Sequence, residues 1–277
     1  MKKKREREEG QSRQAFRPPL ITLLTDFGTQ DAFVGIMKGV ILSINPGVAL
    51  VDLSHAVPPQ DIVAGALLLR SAVAFFPPGT IHVAVVDPGV GSARRALLIE
   101  THNAFFLGPD NGLLSLAAPA DRVVRIVHLT NAEYFLAARS HTFHGRDVFA
   151  PVAAHLSLGT APERFGPSLT AMERLALPGV EYRGAGLTGS VIYIDHFGNL
   201  ITNITEADLP PFSKESLLVS IGDMRVQGVV ASYAAVEIGA PVALINSWGM
   251  LEVAVRNGSA AHRFGVLSGH PVHLTLT

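Results

Sequence analysis

An apolar run at residues 83–86 ends at Asp87 and continues into a loop rich in glycine that carries Arg94 and Arg95. Pro88 cannot donate to a strand ladder and glycine permits positive φ, so the chain turns sharply there and Arg94 can fold back toward Asp87. In open α/β sheets, ligands bind at this carboxyl edge of the strands. The stretch therefore predicts a loop that holds a small molecule.

A second stretch, residues 142–147, has the sequence TFHGRD and precedes a helical pattern. His144 lies in a loop beside a flexible glycine, where an imidazole can exchange protons or orient water. Arg146 and Asp147 are better explained as an ion pair at a helix entrance that Asp147 caps. His144 is thus the candidate for chemistry in this stretch.

Other polar clusters allow two interpretations. Asp26 follows an apolar run, and helix capping is the better explanation of it taken alone. His55 is better explained as a hydrogen-bonded structural histidine. Asp195 and Asn199 flank a turn, where Asx-type hydrogen bonds and a ligand site are equally compatible with the residues. The only tryptophan, Trp248, is compatible with a core position.

Composition limits the class of protein. The chain has 277 residues, 48% of them apolar, a net charge of -1 and no cysteine, which is typical of a well-cored protein of one or two domains and excludes thiol chemistry. We predict no nucleic-acid partner. No run approaches the about 18 apolar residues of a membrane span, and the basic N-terminus lacks the apolar segment of a secretion signal. We therefore predict no membrane partner and a cytoplasmic location.

The pattern along the chain predicts two domains. Residues 1–19 mix basic and acidic side chains without apolar periodicity, which is typical of a disordered tail. Residues 20–160 alternate short apolar runs with helical periods, which predicts an α/β domain with a largely parallel sheet. Within it we predict strands at 20–25, 48–53, 81–86 and 123–129, helices at 33–44, 61–75 and 147–158, and a hairpin at 96–107. The first helix would bury one face made of Phe33, Ile36, Met37, Val40, Ile41 and Ile44.

The rest of the chain has a different texture. Residues 161–186 are rich in proline and glycine and are predicted to be a linker. Residues 187–277 contain short apolar runs separated by turn residues, with little helical period. This pattern predicts a smaller, all-β, barrel-like C-terminal domain.

Six motifs taken together resemble a known family. They are TDFG at 25–28, VVDPGVGSARR at 85–95, GPDNGLL at 108–114, TFHGRD at 142–147, DHFGN at 195–199 and NSWG at 246–249. In order and spacing they resemble the S-adenosylmethionine hydrolases, also called S-adenosyl-L-methionine hydroxide adenosyltransferases, which are relatives of the fluorinase and chlorinase enzymes. The resemblance extends from about residue 20 to the C-terminus.

The resemblance implies a reaction and its catalytic residues. Water would attack ribose C5′ of S-adenosyl-L-methionine and release adenosine and L-methionine, with the catalytic set falling on Asp87, Arg94 and His144. A sulfonium is already a good leaving group, so the protein must mainly place and polarise a water molecule. No cofactor and no metal are implied.

The resemblance also implies how the substrate is held. Asp26 would bind the ribose hydroxyls and Phe143 would form a wall beside the sugar. The amino-acid part and the adenine are assigned to the C-terminal domain, namely to Asp195 and Ser247 for methionine and to Asn199, Glu252 and Val255 for adenine. In this family the first domain of one subunit and the second domain of its neighbour enclose the substrate, which implies a homotrimer.

Three alternatives remain open. Within the family, halide transfer competes with hydrolysis, but halogenases carry tyrosine where this chain has Asp87, and a carboxylate there would repel a halide. Gly145, where the fluorinase has serine, argues against fluoride but not against chloride. A metal-dependent phosphohydrolase would use Asp26, Asp87, Asp110 and His144 as ligands. A non-catalytic sensor of adenosine or S-adenosylmethionine would bind without turnover.

Overall fold

A computed structural model describes residues 18–184, 186–209 and 214–276 of the chain. Its internal contacts divide the chain into two compact units, with the division between Arg174 and Leu175. That division falls inside the predicted linker, and the exact domain limits at 20–160 and 187–277 stay a prediction. The predicted tail at 1–19 lies almost entirely outside the described residues.

The first unit contains a seven-stranded sheet in the order β2-β1-β3-β5-β4-β6-β7. The strands are β1 Leu20–Thr25, β2 Ala49–Ser54, β3 Thr80–Val85, β4 Ala96–Thr101, β5 Ala104–Pro109, β6 Val123–His128 and β7 Ser168–Leu169. The first, second, third and fifth strands pair in parallel, whereas β4, β6 and β7 pair antiparallel. The α/β class is confirmed, and the sheet is mixed because the tight β4–β5 turn forces an antiparallel hairpin.

Helices cover both faces of this sheet. They are α1 Phe33–Ile44, α2 Ile62–Val73 and α3 Ala150–Ser157. Ile21 and Val83 belong to one apolar core with residues of α1 and α3. Strand side chains alternate between faces, and the opposite face receives α2, where the Gly65 backbone lies so close to Val86 and Leu113 that an added Cβ would be 2.8 Å from Leu113 Cδ1.

The buried face of α1 differs from the predicted one. Val34, Met37 and Ile41 are its buried residues, whereas Phe33 and Ile36 are 45% and 40% exposed. The prediction was wrong for these two residues because a 3.6-residue period fits more than one set of apolar positions when nearly the whole helix is apolar.

The predicted helix at 147–158 begins earlier and in another form. A π-helical turn at 145–149 precedes α3. Pro151 has no N–H to donate to the Asp147 carbonyl, and Leu136 N–H donates to that carbonyl instead, at 3.0 Å. Asp147 is therefore not a helix cap: its carboxylate accepts from Ser140 N–H at 2.7 Å and from Arg146 Nε at 2.6 Å.

The second unit is an antiparallel sheet in the order β12-β11-β15-β9-β10-β14-β13, with β8 paired to β9. Its elements are β8 Glu181–Arg183, β9 Gly186–Ile194, β10 Leu200–Thr205, β11 Leu217–Ile221, β12 Met224–Gln227, β13 Pro241–Ile245, β14 Met250–Val255, helix α4 Ala260–Phe264 and β15 Pro271–Leu276. Val230 bridges Leu244 of β13, so the two ends of the sheet approach each other. The predicted all-β, barrel-like domain is confirmed. None of the helices in the described ranges has the length and apolar character needed to cross a bilayer.

Candidate active site

Parallel pairing of β1 and β3 brings two carboxylates to one edge of the first sheet. Thr25 pairs with Val85 in the register, so Asp26 and Asp87 leave neighbouring strands at the same end. They border a cavity of about 420 Å³. Its lining residues include Asp26, Phe27, Phe33, Gln60, Asp87, Phe143, His144 and Gly145.

Asp87, Arg94 and His144 form one hydrogen-bonded unit. Arg94 Nε lies 2.9 Å and 3.0 Å from the two Asp87 carboxylate oxygens, and Arg94 Nη2 donates to Asp87 Oδ2. The same Nη2 lies 2.8 Å from His144 Nδ1. The Asp87 and Arg94 side chains are only 4% and 10% exposed, so the ion pair is largely shielded from water and its electrostatic attraction is correspondingly strong.

This geometry assigns the proton on His144. A guanidinium has only N–H donors, so His144 Nδ1 is the acceptor and the neutral ring carries its hydrogen on Nε2. Burial, and then the charge of Arg94, lower the pKa of His144, although Asp87 acts in the opposite direction. His144 is therefore neutral near pH 7 and presents an N–H donor.

A close backbone contact holds the Asp87–Arg94 loop against the loop that carries His144. Gly91 has φ +79, and a Cβ added there would lie 2.5 Å from the His141 carbonyl oxygen. Only glycine accepts this conformation without strain and leaves room for that carbonyl. The contact fixes the distance between the two loops and so supports the Arg94–His144 bond.

Asp26 is not the helix cap that its position suggested. The residue that precedes α1 is Ala32, which makes no side-chain capping bond, whereas Asp26 Oδ2 accepts from Gln60 N–H at 2.8 Å. Among the residues that the structure describes, no protein donor reaches Asp26 Oδ1. One carboxylate oxygen therefore remains available at the cavity.

An aromatic wall adjoins the carboxylates. The Phe143 ring lies edge-on to those of Phe27 and Phe33, with centroid distances of 5.8 Å and 5.3 Å. Phe27 and Phe33 were not predicted as site residues, because Phe33 fitted the apolar period of α1. The polar TDFG motif just before that helix was the available signal.

The β9–β10 turn carries Asp195 and Asn199 in the second unit. Asp195 Oδ1 accepts from the N–H groups of Phe197 and Asn199 at 2.9 Å, and Asn199 Nδ2 donates to Asp195 Oδ2 at 2.9 Å. These are the expected Asx-type bonds. Both side chains also line a cavity of about 530 Å³ together with Tyr233 and Val255, so the two interpretations of this turn are compatible.

Ser247 and Glu252 line an adjoining cavity of about 380 Å³, which Asp195, Tyr233 and Trp248 also border. Tyr233 OH donates to Glu252 Oε1 at 2.5 Å. Glu252 is almost fully buried, and this burial raises its pKa despite the hydrogen bonds from Tyr233 and Asn246. Glu252 and Val255, which the sequence had grouped, thus line different cavities, and Tyr233, at the start of a short 3-10 helical turn, borders both.

Three of the four proposed metal ligands, Asp26, Asp87 and His144, border one cavity, but Asp110 does not. Arg94 engages Asp87, and Asp110 accepts from Arg95 Nε at 2.6 Å and from Glu173 N–H at 2.7 Å. Within the described ranges, no three His, Asp or Glu side chains form a group that could hold an ion. This arrangement does not support the phosphohydrolase alternative.

Comparisons with known proteins agree with the motif pattern. The family models of the SAM hydroxide adenosyltransferase N-terminal and C-terminal domains match residues 21–166 and 189–273. A protein of Thermus thermophilus named (R)-S-adenosyl-L-methionine hydrolase is 42% identical over 263 residues, which cover 92% of this chain and 98% of that protein. One of the same name from Methanocaldococcus jannaschii is 37% identical, with 85% and 88% covered. A fluorinase of an Actinoplanes species is more distant, at 30% identity with 93% and 97% covered.

A solved structure has the same fold. The crystal structure of an uncharacterized conserved protein from Thermotoga maritima superposes with a TM-score of 0.84 at 34% identity, covering 92% of this chain and 99% of the other. Both domain models match in sequence order, and together they account for most of the chain. The chain therefore belongs to the SAM hydroxide adenosyltransferase family.

Proposed function

We propose that this chain hydrolyses S-adenosyl-L-methionine to adenosine and L-methionine. The observation that carries the proposal is the Asp87–Arg94–His144 unit at the wall of a cavity that Asp26 and Phe143 also line. Relatives at 37–42% identity that bear the name (R)-S-adenosyl-L-methionine hydrolase support it. Their name favours the R configuration at sulfur for the substrate of this chain as well.

The geometry suggests a division of labour in the reaction. The water oxygen bonds to C5′ as the C5′–S bond breaks, and the electron pair of that bond stays on the methionine sulfur. Asp87 accepts the proton that the water loses, and His144 Nε2–H orients the water by donating to its oxygen. Arg94 donates to both of these residues and so holds them in one arrangement.

Substrate contacts follow from the chemistry of the cavity walls. The available oxygen of Asp26 accepts a ribose hydroxyl, and the Phe143 ring packs beside the sugar. In the second domain, Asp195 and Ser247 bind the amino-acid part, while Asn199 and the backbone near Val255 bind the adenine edge. Glu252 belongs with the amino-acid group of residues in this proposal, because it lines the cavity of Ser247.

The decisive experiment follows the oxygen atom. Purified protein is incubated with the separated R and S epimers of S-adenosyl-L-methionine in H₂¹⁸O with EDTA, and the products are separated by chromatography. We expect equal amounts of adenosine and methionine, ¹⁸O only at the adenosine 5′ position, and faster turnover of the R epimer. A 5′-chloro product in chloride buffer, or binding without turnover, would contradict hydrolysis, and loss of activity with EDTA would contradict the absence of a metal cofactor.

We also propose a homotrimer whose sites combine the first domain of one subunit with the second domain of its neighbour, in a cytoplasmic enzyme. The groups proposed for chemistry and those proposed for the amino-acid part lie in different domains, which supports this arrangement. Asp87→Ala and Asp195→Ala are prepared separately, then mixed under conditions that exchange subunits. Recovery of hydrolysis in the mixture, with light scattering at the mass of three chains, is expected. A monomer, or a mixture no more active than its components at a substrate concentration well below the raised KM of Asp195→Ala, contradicts the shared site.

A further inference from the structure

A line of polar side chains joins the loop that carries Asp26 to the end of β2. Thr25 Oγ1 lies 2.8 Å from His55 Nδ1, and His55 Nε2 lies 3.0 Å from Asp52 Oδ1 in a short but bent contact. Lys38 Nζ donates to the other Asp52 oxygen at 2.6 Å. The proposed reaction uses none of these four residues, and sequence reasoning explained His55 only as a structural histidine.

The charges at the Asp52 end of this line determine which atoms donate hydrogen and which accept it. Burial alone would raise the pKa of Asp52, but the hydrogen bond from Lys38 and the close approach of His55 outweigh it and lower that pKa. Asp52 is therefore a carboxylate that attracts the N–H at His55 Nε2. His55 Nδ1 faces the Thr25 hydroxyl, whose oxygen also accepts from Phe27 N–H at 3.2 Å.

The order of hydroxyl, imidazole and carboxylate resembles a catalytic triad with Thr25 as the nucleophile, but burial excludes such a role. Thr25 is fully buried, and His55 is nearly so. Neither residue is among those that line the cavity. Any effect of Thr25 and His55 on the reaction therefore comes through the loop that they hold in place.

Several hydrogen bonds hold the loop that carries Asp26 against the segment 55–60. Gly28 N–H donates to the His55 carbonyl at 2.8 Å, and Gln60 N–H donates to Asp26 Oδ2 at 2.8 Å. Together with the Thr25–His55 contact, these bonds attach the loop on both sides of Asp26 to the segment 55–60. The position of the Asp26 carboxylate thus depends on Gln60, which lines the cavity, and also on Thr25 and His55, which do not.

We propose that Thr25 and His55 are positioning residues that place the Asp26 carboxylate for the ribose hydroxyls. The inference rests on the proposed function, since it takes Asp26 as the ribose ligand. A misplaced carboxylate weakens the ground state and the transition state alike, because the ribose hydroxyls do not react. Loss of the link therefore raises KM and leaves kcat nearly unchanged.

The same strand supplies a matched control. Thr22 Oγ1 lies 2.8 Å from His82 Nδ1, and both residues are fully buried between β1 and β3. Thr22→Val and Thr25→Val each delete one buried hydroxyl that contacts an imidazole. Both variants lose stability, but only Thr25 adjoins Asp26.

The experiment measures KM, kcat and melting temperature for Thr25→Val, Thr22→Val, Thr25→Ser and His55→Gln. We expect Thr25→Val and His55→Gln to raise KM about tenfold, the effect of one lost buried hydrogen bond, with kcat changed less than about threefold. Thr25→Ser keeps the hydroxyl and is expected to retain the KM of the unaltered protein. Thr22→Val is expected to lower the melting temperature only.

A double variant separates positioning from general weakening of the fold. In an Asp26→Asn background, Thr25→Val is expected to add no further increase in KM, because it acts through the carboxylate already removed. Equal KM values for Thr25→Val and Thr22→Val, or additive effects with Asp26→Asn, would overturn the inference while hydrolysis by the unaltered protein upholds the proposed function. Absence of hydrolysis by the unaltered protein would overturn both.

Discussion

The two domains treat their carboxylates differently. In the first domain, Asp87 and Asp110 are each neutralised by an adjacent arginine. In the second, Glu252 is held by a phenol and an amide, and among the described residues no lysine or arginine forms an ion pair with it or with Asp195. A carboxylate neutralised by arginine, such as Asp87, suits an uncharged water molecule, whereas Glu252 and Asp195 suit a cationic ligand. Among the described residues Asp26 of the first domain has no cationic partner either, so the contrast concerns Asp87 and not every carboxylate of that domain. The contrast supports the proposal that the first domain carries the chemistry and the second binds the charged amino-acid part.

The largest loss of activity is expected when the carboxylate of Asp87 is replaced. Asp87→Asn keeps the shape but removes the proton acceptor, so kcat should fall by about 10²–10⁴-fold with little change in KM. Asp110→Asn is the matched control, since it breaks an equivalent pair with Arg95 that does not line the cavity. Steady-state kinetics of both variants check this. Nearly full activity of Asp87→Asn would refute its role.

A smaller effect of another kind is expected in the second domain. Asp195→Asn removes one of the carboxylates without a cation, so KM should rise about 10- to 100-fold, as for a lost charged hydrogen bond, with kcat less affected. Asp223→Asn, at an exposed turn of the same domain, serves as control. Calorimetric binding of methionine gives a readout independent of turnover. A fall in kcat with unchanged KM would contradict the proposed division between domains.

The pH dependence of kcat tests the first domain further. The lowered pKa of His144 means that the ring is neutral above that pKa. Protonation at lower pH places an N–H at Nδ1 against the Arg94 donor and breaks their bond. We expect kcat to fall, with a slope of about one log unit per pH unit, only below the ordinary histidine range.

The His144→Gln variant should lack this acidic limb, whereas His102→Gln, on the exposed turn between β4 and β5, should retain it. A limb that persists in His144→Gln would assign it to another group.

The smallest effect concerns stability. Since burial raises the pKa of Glu252, the folded state favours its protonated form. The associated stability is complete below the unfolded pKa and is lost as pH rises through the raised folded value. Glu252→Gln should therefore raise the melting temperature by a few degrees at neutral pH and not at pH 4, while it weakens binding of the cationic substrate. Scanning calorimetry at both pH values tests this, and a lower melting temperature at neutral pH would contradict it.

Local patterns predicted the elements well where one physical signal dominates. The short apolar runs before Asp26 and Asp87 are strands, and Asp61 caps α2 by accepting from Ala64 N–H at 2.9 Å. The mixed strand order of the first sheet was beyond local reasoning, because pairing of β5 with β3 is a contact between distant segments. The π-helical turn was not predicted either, because Leu136 N–H, from a distant segment, supplies the hydrogen bond to the Asp147 carbonyl that Pro151 cannot make.

The candidate site was predicted unevenly for the same reason. Glycine, proline and charged residues after the third strand indicated Asp87 and Arg94, the loop beside Gly145 indicated His144, and the family resemblance joined the three as one set. Val255 and Glu252 are three residues apart on β14, so strand alternation places their side chains on opposite faces, and their shared role at the adenine stays a prediction. Tyr233 has no periodicity around it, and only the folded chain places it between two cavities.

The contact between Gly91 and the His141 carbonyl has a consequence for attempts to alter the nucleophile. Any side chain at Gly91 forces the two loops apart. Variants at this position will therefore mostly lose activity because the loops are displaced. Ala93 is exposed on the same loop and accepts larger residues without that collision. Diversity placed there, with Gly91 left untouched, changes the exposed surface of this loop while the Asp87–Arg94–His144 contacts stay in place.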